Sequence, residues 1–483
     1  MGHPGVTRRS KIVCTLGPAS DRPRVLAGMI RAGLDVARIN FSHGLPEEHR
    51  ARVAAVRREA RRAGRNVAIL QDLQGPKLRL GRFSEGRIEL VSGGRVLLAT
   101  APGVVGSPRV IPVPLPTLGR ACRVGDPVLL DDGRVRLRVT RHRGRDVEAE
   151  VEIGGAISDH KGVSLPGSTG SIAAFTPKDR RDAALGRELG VDLVAMSFVR
   201  TVRDVEIARR HITPGTPLIA KMEKPEAIEN LEAIVLVADG VMVARGDLGV
   251  ELPLEQVPGI QKRLVRQANL LGRTCIVATE MLESMIKAPR PTRAEVSDVA
   301  NAVLDGADAV MLSAETAVGH DPVAAVATMA RIVEEAEHGQ PVRIRPAFAP
   351  GPGQRSGHGR LAVTDVSPGI AAAAVEAARS VGAKVIVAYT ESGYTARLVA
   401  AFRPEVPILA LTPNEVVVHR LALVWGVEAH RAPRVRSTDA VMARARAAVR
   451  RHRLAAPGER MAIVAGVPLN LPGNTNVLTV QTV

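Results

Sequence analysis

Two short segments place charged residues at the ends of apolar runs, where they could carry chemistry. Lys221 and Glu223 lie at the end of the apolar run 217–220, which predicts a buried strand. Because residues two apart in an extended chain point to the same side, the ammonium and the carboxylate are expected to face one spot. A second apolar run, 240–244, is followed at once by Arg-Gly-Asp, so a further carboxylate, Asp247, comes after a strand.

These residue types fit a divalent cation beside a phosphoryl group. Two carboxylates from neighbouring strand ends suit Mg²⁺, which keeps coordination sites for substrate oxygens. Lys221 would stabilise negative charge on the phosphoryl group during its transfer. The glycine before Asp247 would allow the backbone to approach a ligand closely. The alternative, ordinary ion pairs at strand ends, is not excluded by this stretch alone.

Size and composition limit the class of protein. The chain has 483 residues, of which 45% are hydrophobic, and this length predicts roughly two to four domains with full cores. No apolar run is long enough for a membrane helix, and Met1 to Ser10 lacks the apolar core of a signal peptide. The cysteines Cys14, Cys122 and Cys275 are odd in number and far apart. This argues against disulfides or a zinc site and favours a reducing cytoplasm.

The formal net charge of +17 raises the question of a nucleic-acid partner. The arginines are scattered along the chain, and aromatic residues are only 2%, so platforms for base stacking are nearly absent. We therefore expect no nucleic-acid partner. The positive field would instead help to attract anionic substrates.

Short apolar strands alternate with amphipathic helices over most of the first 338 residues. The predicted strands are 11–16, 35–39, 67–72, 192–198, 217–221, 240–244, 274–278 and 309–312. A helix is expected between each pair, for example over 47–63 and 227–237. Eight such units are the number in a (β/α)₈ barrel, so residues 1–76 and 172–338 are predicted to form one.

The ends of these strands carry most of the candidate functional residues. They are Arg38, Asn40, Ser42, Asp72, Ser197, Lys221, Glu223, Arg245, Asp247, Thr279, Glu280, Ser313 and Glu315. A barrel brings the carboxyl ends of its strands to one face, where enzymes of this fold have their active sites. This convergence favours a catalytic site over scattered ion pairs.

Two regions depart from the barrel pattern. Between 77 and 171 the helical period vanishes, and 134–140 and 146–153 alternate as an antiparallel hairpin, which predicts a small inserted β domain. Residues 339–364 are rich in Gly, Pro and Arg and predict a linker. An Ala-rich helix and an apolar strand then predict an α/β domain over 365–483.

A loop in this last domain precedes a helix and is rich in small polar residues. Its candidate ligand groups are Thr390, Ser392, Gly393 and Thr395. Such a loop at a helix N-terminus is a potential anion site, although a simple helix cap explains it equally well.

Several segments together resemble pyruvate kinase, in the right order over essentially the whole chain. They are Lys-Ile-Val-Cys-Thr-Leu-Gly-Pro-Ala-Ser at 11–20, Arg-Ile-Asn-Phe-Ser-His-Gly at 38–44, Lys-Gly-Val-Ser-Leu-Pro-Gly at 161–167, Ala-Arg-Gly-Asp-Leu-Gly at 244–249, Ala-Thr-Glu-Met-Leu-Glu-Ser-Met at 278–285, Met-Leu-Ser-Ala-Glu-Thr-Ala at 311–317 and Gly-Asn-Thr-Asn at 473–476. The resemblance implies phosphoryl transfer from phosphoenolpyruvate to ADP, giving pyruvate and ATP, in a homotetramer. It also implies a barrel with a β lid inserted after strand three and a C-terminal regulatory domain.

The resemblance implies a role for individual residues. Glu223 and Asp247 would hold Mg²⁺ or Mn²⁺, and Lys221 and Arg38 would contact the phosphoryl group. Phosphoenolpyruvate would be cradled further by Ala244, Arg245, Gly246, Asp247 and Thr279. The nucleotide would meet Pro18, Asn40, His43 and, from a closing lid, Lys161. Thr279, Ser313 and Glu315 match positions on the side from which the enolate takes its proton.

The chain departs from the usual family pattern near the third strand. Many members need K⁺ and read Asp-Thr-Lys-Gly-Pro-Glu, whereas this chain reads Asp-Leu-Gln-Gly-Pro-Lys at 72–77. The monovalent-cation region would comprise Asn40, Ser42, Asp72 and Leu73. The Lys77 ammonium could supply the charge of K⁺ and would repel a bound cation. We therefore predict activity without K⁺, the alternative being a lysine directed to solvent.

The effector loop departs as well, since Tyr394 stands where Arg or Lys is common. A phosphorylated effector, a sugar phosphate or AMP, is still expected at this loop, against the alternative of a domain that has lost its ligand.

Two other classes of protein fit the sequence less well. A different phosphoenolpyruvate-using barrel enzyme is disfavoured by the lid with Lys161, and a catalytically dead sensor by the presence of Lys221 and both metal carboxylates.

Overall fold

The computed structural model describes residues 8–166, 173–338, 346, 366–469 and 473–483. Its strands in chain order are β1 (Lys11–Thr15), β2 (Val36–Asn40), β3 (Ala68–Leu73), β4 (Arg87–Leu90), β5 (Arg95–Ala99), β6 (Val110–Pro112), β7 (Pro127–Leu130), β8 (Val135–Arg143), β9 (Asp146–Ile153), β10 (Gly155–Ser158), β11 (Val163–Ser164), β12 (Leu193–Met196), β13 (Leu218–Met222), β14 (Gly240–Ala244), β15 (Thr274–Ala278), β16 (Ala309–Leu312), β17 (Val385–Tyr389), β18 (Ile408–Thr412), β19 (Val427–Arg431), β20 (Arg460–Ala465) and β21 (Val477–Thr482).

Helices occur in all three regions of the chain. They are α1 (Pro23–Ala32), α2 (Pro46–Ala63), α3 (Leu118–Ala121), α4 (Pro177–Leu189), α5 (Val202–Arg209), α6 (Pro225–Glu229), α7 (Leu231–Val237), α8 (Arg245–Glu251), α9 (Val257–Leu270), α10 (Arg293–Leu304), α11 (Ala314–Ala317), α12 (Pro322–His338), α13 (Ser367–Ser380), α14 (Tyr394–Ala401), α15 (Glu415–Arg420) and α16 (Thr438–Arg451). Short 3₁₀ helices cover Leu254–Gln256, Glu283–Ile286 and Leu421–Leu423. No helix in the described part of the chain combines the length and apolar character needed to span a membrane.

Eight parallel strands close a barrel, in the order β1-β16-β15-β14-β13-β12-β3-β2. The predicted (β/α)₈ fold is therefore confirmed. Side chains such as Val13, Leu70 and Met242 form a cluster with Ala422 and Leu423 of the C-terminal region. A larger cluster lies between the strands and the surrounding helices. Because all the strands run in the same direction, their carboxyl ends meet at one face of the barrel.

The inserted region folds around a core of its own. One sheet has the order β11-β7-β8-β9-β5-β6, and β4 pairs with β10. The predicted hairpin is present, and β8 continues to Arg143, which pairs with Asp146. The turn consists of Gly144, in the left-handed region with φ 66°, and Arg145. Since the pairing continues past Thr140, the observed strand ends three residues later than the alternation predicted.

The C-terminal domain is an α/β layer structure. Its sheet has the order β19-β18-β17-β20-β21, and β21 is antiparallel to β20. The domain contacts the barrel beside the starts of its strands. Lys11 Nζ, at the start of β1, donates to the Val427 carbonyl at 2.8 Å. Arg403 forms an ion pair with Asp308 just before β16, with 3.0 Å between the Arg403 Nη2 and Asp308 Oδ1 atoms.

Three local features differ from the prediction. The helix expected over 227–237 is two helices, because the chain leaves the helical conformation at Asn230 (φ −93°, ψ 18°). The Asn230 amide instead donates to the Arg200 and Glu226 carbonyls. The third strand runs to Leu73, one residue beyond the predicted end at Asp72, and α8 was not predicted. The predicted boundary at 171–172 and, apart from residue 346, the predicted linker 339–364 lie outside the described residues.

Candidate active site

Lys221 is at the centre of a charged cluster at the carboxyl face of the barrel. Its Nζ lies 2.6 Å from Glu223 Oε1 and 3.6 Å from Asp72 Oδ1, and it donates to Ser197 Oγ at 2.7 Å. Burial alone would lower the pKa of the ammonium. The carboxylates of Asp72, Glu223 and Asp247 outweigh burial and raise this pKa above its ordinary value. Lys221 is therefore a fixed positive charge at neutral pH.

Arg38 reaches the same cluster from β2. Its Nε lies 2.6 Å from Asp72 Oδ2, and its Nη1 donates to Thr15 Oγ1 at 2.8 Å. Burial would raise the pKa of the Asp72 carboxyl, but Lys221 and Arg38 hold it below its ordinary value. Asp72 is thus an ionised carboxylate that orients two cations towards the mouth of the barrel.

Glu223 and Asp247 provide the oxygen ligands that a divalent cation requires. Glu223 Oε2 accepts from the Phe198 N–H at 2.9 Å, and the buried Oε1 forms the ion pair with Lys221 Nζ at 2.6 Å. Burial and, more weakly, Asp247 raise the pKa of the Glu223 carboxyl, although Lys221 opposes this shift. A divalent cation would relieve the repulsion between the two carboxylates, so the oxygens of Glu223 and Asp247 fit Mg²⁺ or Mn²⁺.

Thr279 joins the ends of β14 and β15. It has a left-handed backbone (φ 70°), and its Oγ1 accepts from the Gly246 N–H at 2.7 Å. The Arg245 guanidinium donates to the Thr279 carbonyl at 2.7 Å and also pairs with Asp298 at 2.7 Å. The Arg245 side chain and the Gly246 N–H are therefore both engaged inside the protein.

Glu315 links the segments that follow β15 and β16. Its side chain is fully buried, with Oε2 accepting from the Ser313 N–H at 2.6 Å and Oε1 from the Leu282 N–H at 3.0 Å. Both oxygens are thus used in positioning backbone. The Ser313 hydroxyl is different, since it is buried and has no hydrogen-bond partner in the described part of the protein. Ser313 could therefore bind a ligand or a water molecule.

Three comparisons with known proteins agree with this geometry. Residues 7–326 match the family model "Pyruvate kinase, barrel domain", and residues 369–481 match "Pyruvate kinase, alpha/beta domain". The chain belongs to the pyruvate kinase family. Pyruvate kinases of Agrobacterium vitis and Mycobacterium tuberculosis are each 44% identical, over 98% of both chains for the first and 99% of this chain and 98% of the other for the second. A crystal structure of a Cryptosporidium parvum pyruvate kinase superposes with a TM-score of 0.89 at 33% identity, covering 98% of this chain and 96% of the other.

The pyruvate kinase resemblance, the fold and the enzyme class predicted from the sequence are thereby confirmed.

The predicted nucleotide residues lie in three places. Asn40 Oδ1 accepts from the Ser42 N–H at 3.1 Å, and His43 beside them is exposed. Pro18 is exposed in a loop that is held by the Ala19 N–H donating to the Ala317 carbonyl at 3.0 Å.

The fourth nucleotide residue, Lys161, stays within the lid. Its Nζ lies 2.9 Å from Asp131 Oδ1. The lid meets the barrel elsewhere, where the Ser164 hydroxyl contacts the Glu251 carboxylate at the end of α8. The structure therefore shows the lid docked on the barrel with its candidate nucleotide lysine in an internal ion pair.

Lys77 follows a tight turn beside the charged cluster. Gly75 has φ 66°, and a Cβ at this position would come within 2.7 Å of the Phe198 ring, so only glycine fits. Lys77 is half-buried, and no carboxylate of the described residues lies within ion-pairing distance of its ammonium. Burial, Arg79, Lys77 and Arg38 lower the pKa of His43. The Lys77 ammonium therefore acts on His43, which lies close to Asn40 and Ser42 in the chain.

The predicted effector loop forms part of a shallow concavity. It is lined by Tyr389, Thr390, Glu391, Ser392, Thr395, Gly466, Gly473 and Asn474. Thr390 Oγ1 accepts from the Gly393 N–H at 3.0 Å, and Thr395 Oγ1 lies 2.7 Å from Thr475 Oγ1. The Glu391 carboxylate in the same lining contacts Arg434.

Asp298 was missed in the sequence analysis. It lies in α10, far along the chain from Arg245, and no local pattern distinguishes it from an ordinary exposed helix residue. The importance of Asp72 was also underestimated, since it was assigned to a monovalent-cation region and instead contacts both Arg38 and Lys221.

Proposed function

We propose that this member of the pyruvate kinase family transfers a phosphoryl group from phosphoenolpyruvate to ADP and releases pyruvate and ATP. The observation that supports this most is the buried cluster of Lys221, Arg38, Asp72 and Glu223. Three carboxylates, those of Asp72, Glu223 and Asp247, lie close to the two cations Lys221 and Arg38. A divalent cation held by Glu223 and Asp247 would make the local charge positive and favour an anionic substrate.

In the proposed mechanism, Arg38 and Lys221 bind the phosphoryl group. When bound, Mg²⁺ or Mn²⁺ neutralises charge on substrate oxygens. Lys221 then stabilises the charge that develops on the phosphoryl oxygens, with no reorganisation because its carboxylates already hold it in place. The backbone of Ala244 and Gly246 and the hydroxyl of Thr279 orient phosphoenolpyruvate.

The second step is protonation of the enolate. Thr279 and Ser313 would act on this side, a role supported by the buried Ser313 hydroxyl, which has no hydrogen-bond partner among the described residues, and by Glu315, which fixes the Ser313 backbone. Lid closure would break the Lys161–Asp131 ion pair and bring Lys161 to ADP together with the residues Pro18, Asn40 and His43. Closure would also expel water and prevent hydrolysis.

We further propose that the enzyme needs no K⁺. Lys77 supports this, because it is half-buried next to the predicted monovalent-cation region and lacks a carboxylate partner among the described residues. Its charge would replace that of K⁺ beside Asn40, Ser42, Asp72 and Leu73.

Wider aspects of the proposal follow from family membership. The catalytic unit would comprise 1–76 and 172–338, the lid 77–171, the linker 339–364 and the regulatory domain 365–483. A sugar phosphate or AMP would bind at Thr390, Ser392, Gly393 and Thr395. We expect a homotetramer, since closed symmetric assembly is the rule for such enzymes. A cytoplasmic location agrees with three free, buried cysteines.

The direct test is pyruvate formation from phosphoenolpyruvate and ADP with Mg²⁺. We expect the same rate in strictly K⁺-free buffer and in KCl at matched ionic strength. Activity that appears only when KCl is added would support the proposed reaction but overturn the proposed role of Lys77. No pyruvate in either buffer, with sugar phosphates and AMP also tested, would overturn the proposed reaction.

Replacing Lys77 by glutamate should convert the enzyme to one that requires K⁺. The charge reversal removes the built-in cation and supplies an anionic partner for a bound one, so K⁺-free activity should fall by about tenfold or more and recover with KCl. The measurement is the initial rate against KCl concentration. Lys77→Arg is the matched control and should stay K⁺-independent. Unchanged K⁺-free activity in Lys77→Glu would contradict the proposal.

A further inference from the structure

Two histidines and a glutamate meet at the edge of the C-terminal sheet. Glu428 and His430 lie two residues apart on the edge strand β19 and therefore share one side of it, and His452 directly follows α16. His430 Nε2 is 2.8 Å from Glu428 Oε1, and the imidazole centroids of His430 and His452 are 3.8 Å apart. One potential metal-ligand atom of each residue lies within 4.8 Å of the other two.

Among the described residues, this is the one group of three or more His, Cys, Asp or Glu side chains with such spacing. Its donors differ from those of the barrel site. Imidazole nitrogens suit Zn²⁺ and the neighbouring transition metals, whereas Mg²⁺ prefers oxygen ligands. Three protein ligands leave a fourth tetrahedral position for water, and the exposure of Glu428 provides access to solvent.

The spacing is close to what a bound metal requires. With bonds of about 2.0–2.1 Å, the ligand atoms of a tetrahedral zinc site lie about 3.3 Å apart. The Glu428–His430 pair is already closer than this, at 2.8 Å, and a ring nitrogen of His452 lies within 4.8 Å of both ligand atoms. Both supporting elements are firmly packed, because β18, which pairs with β19, and α16 contribute Leu411 and Val449 to one buried apolar cluster.

Two cationic side chains lie near the cluster. Lys11 is close enough to influence Glu428, with its ammonium donating to the Val427 carbonyl, and Arg451 is close enough to influence His452. Glu428 provides the one formal negative charge of the three ligands. Without a metal, the same contacts would be a Glu–His ion pair with a second ring stacked upon it.

We propose that Glu428, His430 and His452 form a site for a divalent transition-metal ion of the Zn²⁺ class. The ion would tie the end of α16 to the edge strand β19 and so stabilise the C-terminal domain. Because nothing in the barrel site is involved, this proposal is independent of the proposed catalytic reaction.

The test compares full-length chains stripped of metal with a chelator that is then removed. Zn²⁺ is titrated in excess Mg²⁺, and bound zinc per chain and melting temperature are measured for wild type and for His430→Ala/His452→Ala. The matched control is His142→Ala, which removes an exposed histidine of the lid. We expect wild type and His142→Ala each to bind one more equivalent of Zn²⁺ per chain than the double variant. Zn²⁺ should also raise the melting temperatures of wild type and His142→Ala more than that of the double variant.

Single variants provide a second measurement that does not require the double variant to fold. His452→Gln should weaken zinc binding at the cluster by at least about tenfold, as loss of a metal-site residue commonly does. With Co²⁺ as the probe, wild type should show visible absorption of a four- or five-coordinate nitrogen-containing site that His452→Gln lacks. Equal zinc binding by wild type and the double variant, or identical Co²⁺ spectra for wild type and His452→Gln, would overturn the proposal and leave the stacked ion pair as the explanation.

Discussion

Lys221→Met should lower kcat by about a thousandfold, equivalent to about 4 kcal/mol of transition-state stabilisation. The ammonium is held by Glu223, Asp72 and Ser197 before substrate arrives, so its charge acts without reorganisation when the phosphoryl group is transferred. Methionine keeps the length of the side chain and removes the charge. KM for phosphoenolpyruvate and binding of Mn²⁺ should change far less than kcat.

A second buried pair nearby provides a matched control for this variant. Lys224 Nζ lies 2.6 Å from Glu251 Oε1, and both side chains are largely buried. Lys224→Met therefore also removes a buried lysine from a glutamate but leaves the proposed catalytic charge in place, so kcat should fall by less than about tenfold. Near-normal turnover in Lys221→Met, or equal losses in both variants, would contradict the role of Lys221.

The barrel could be predicted from the sequence because its signals are local. Each strand is a short apolar run, each helix has its own period, and parallel strands then place all carboxyl ends together. The cluster of Lys221, Glu223 and Arg38 follows from that topology without any knowledge of distances. The hairpin of the lid was predictable for the same reason, since alternation on both sides of a glycine turn is a local pattern.

Features that depend on tertiary contacts could not be predicted in this way. Helix α8 contains two glycines in its Arg-Gly-Asp-Leu-Gly start, and helix propensity alone disfavours it. The guanidinium of Arg245 is directed by Asp298, which is distant in sequence. The ion pair of Lys161 with Asp131 depends on the packing of the lid, and the resemblance alone suggested a nucleotide contact.

The charges around Asp72 support the proposed divalent metal beside Lys221. One buried carboxylate orients both Arg38 and Lys221, and Glu223 adds a second negative charge next to the lysine. An anionic substrate would meet strong repulsion from these carboxylates if nothing else neutralised them. A divalent cation held by Glu223 and Asp247 would neutralise them, which leads to a prediction for Glu223.

Glu223→Gln should raise the Mn²⁺ concentration needed for half-maximal activity by about a hundredfold, because it replaces a charged ligand by a neutral one of the same shape. The measurements are Mn²⁺ binding by electron paramagnetic resonance and the rate against Mn²⁺ concentration. The matched control is Glu251→Gln, since the Glu251 side chain is also largely buried and also pairs with a lysine. It should bind Mn²⁺ as wild type does. If Glu223→Gln bound Mn²⁺ normally, Glu223 would only position Lys221 and the Phe198 backbone.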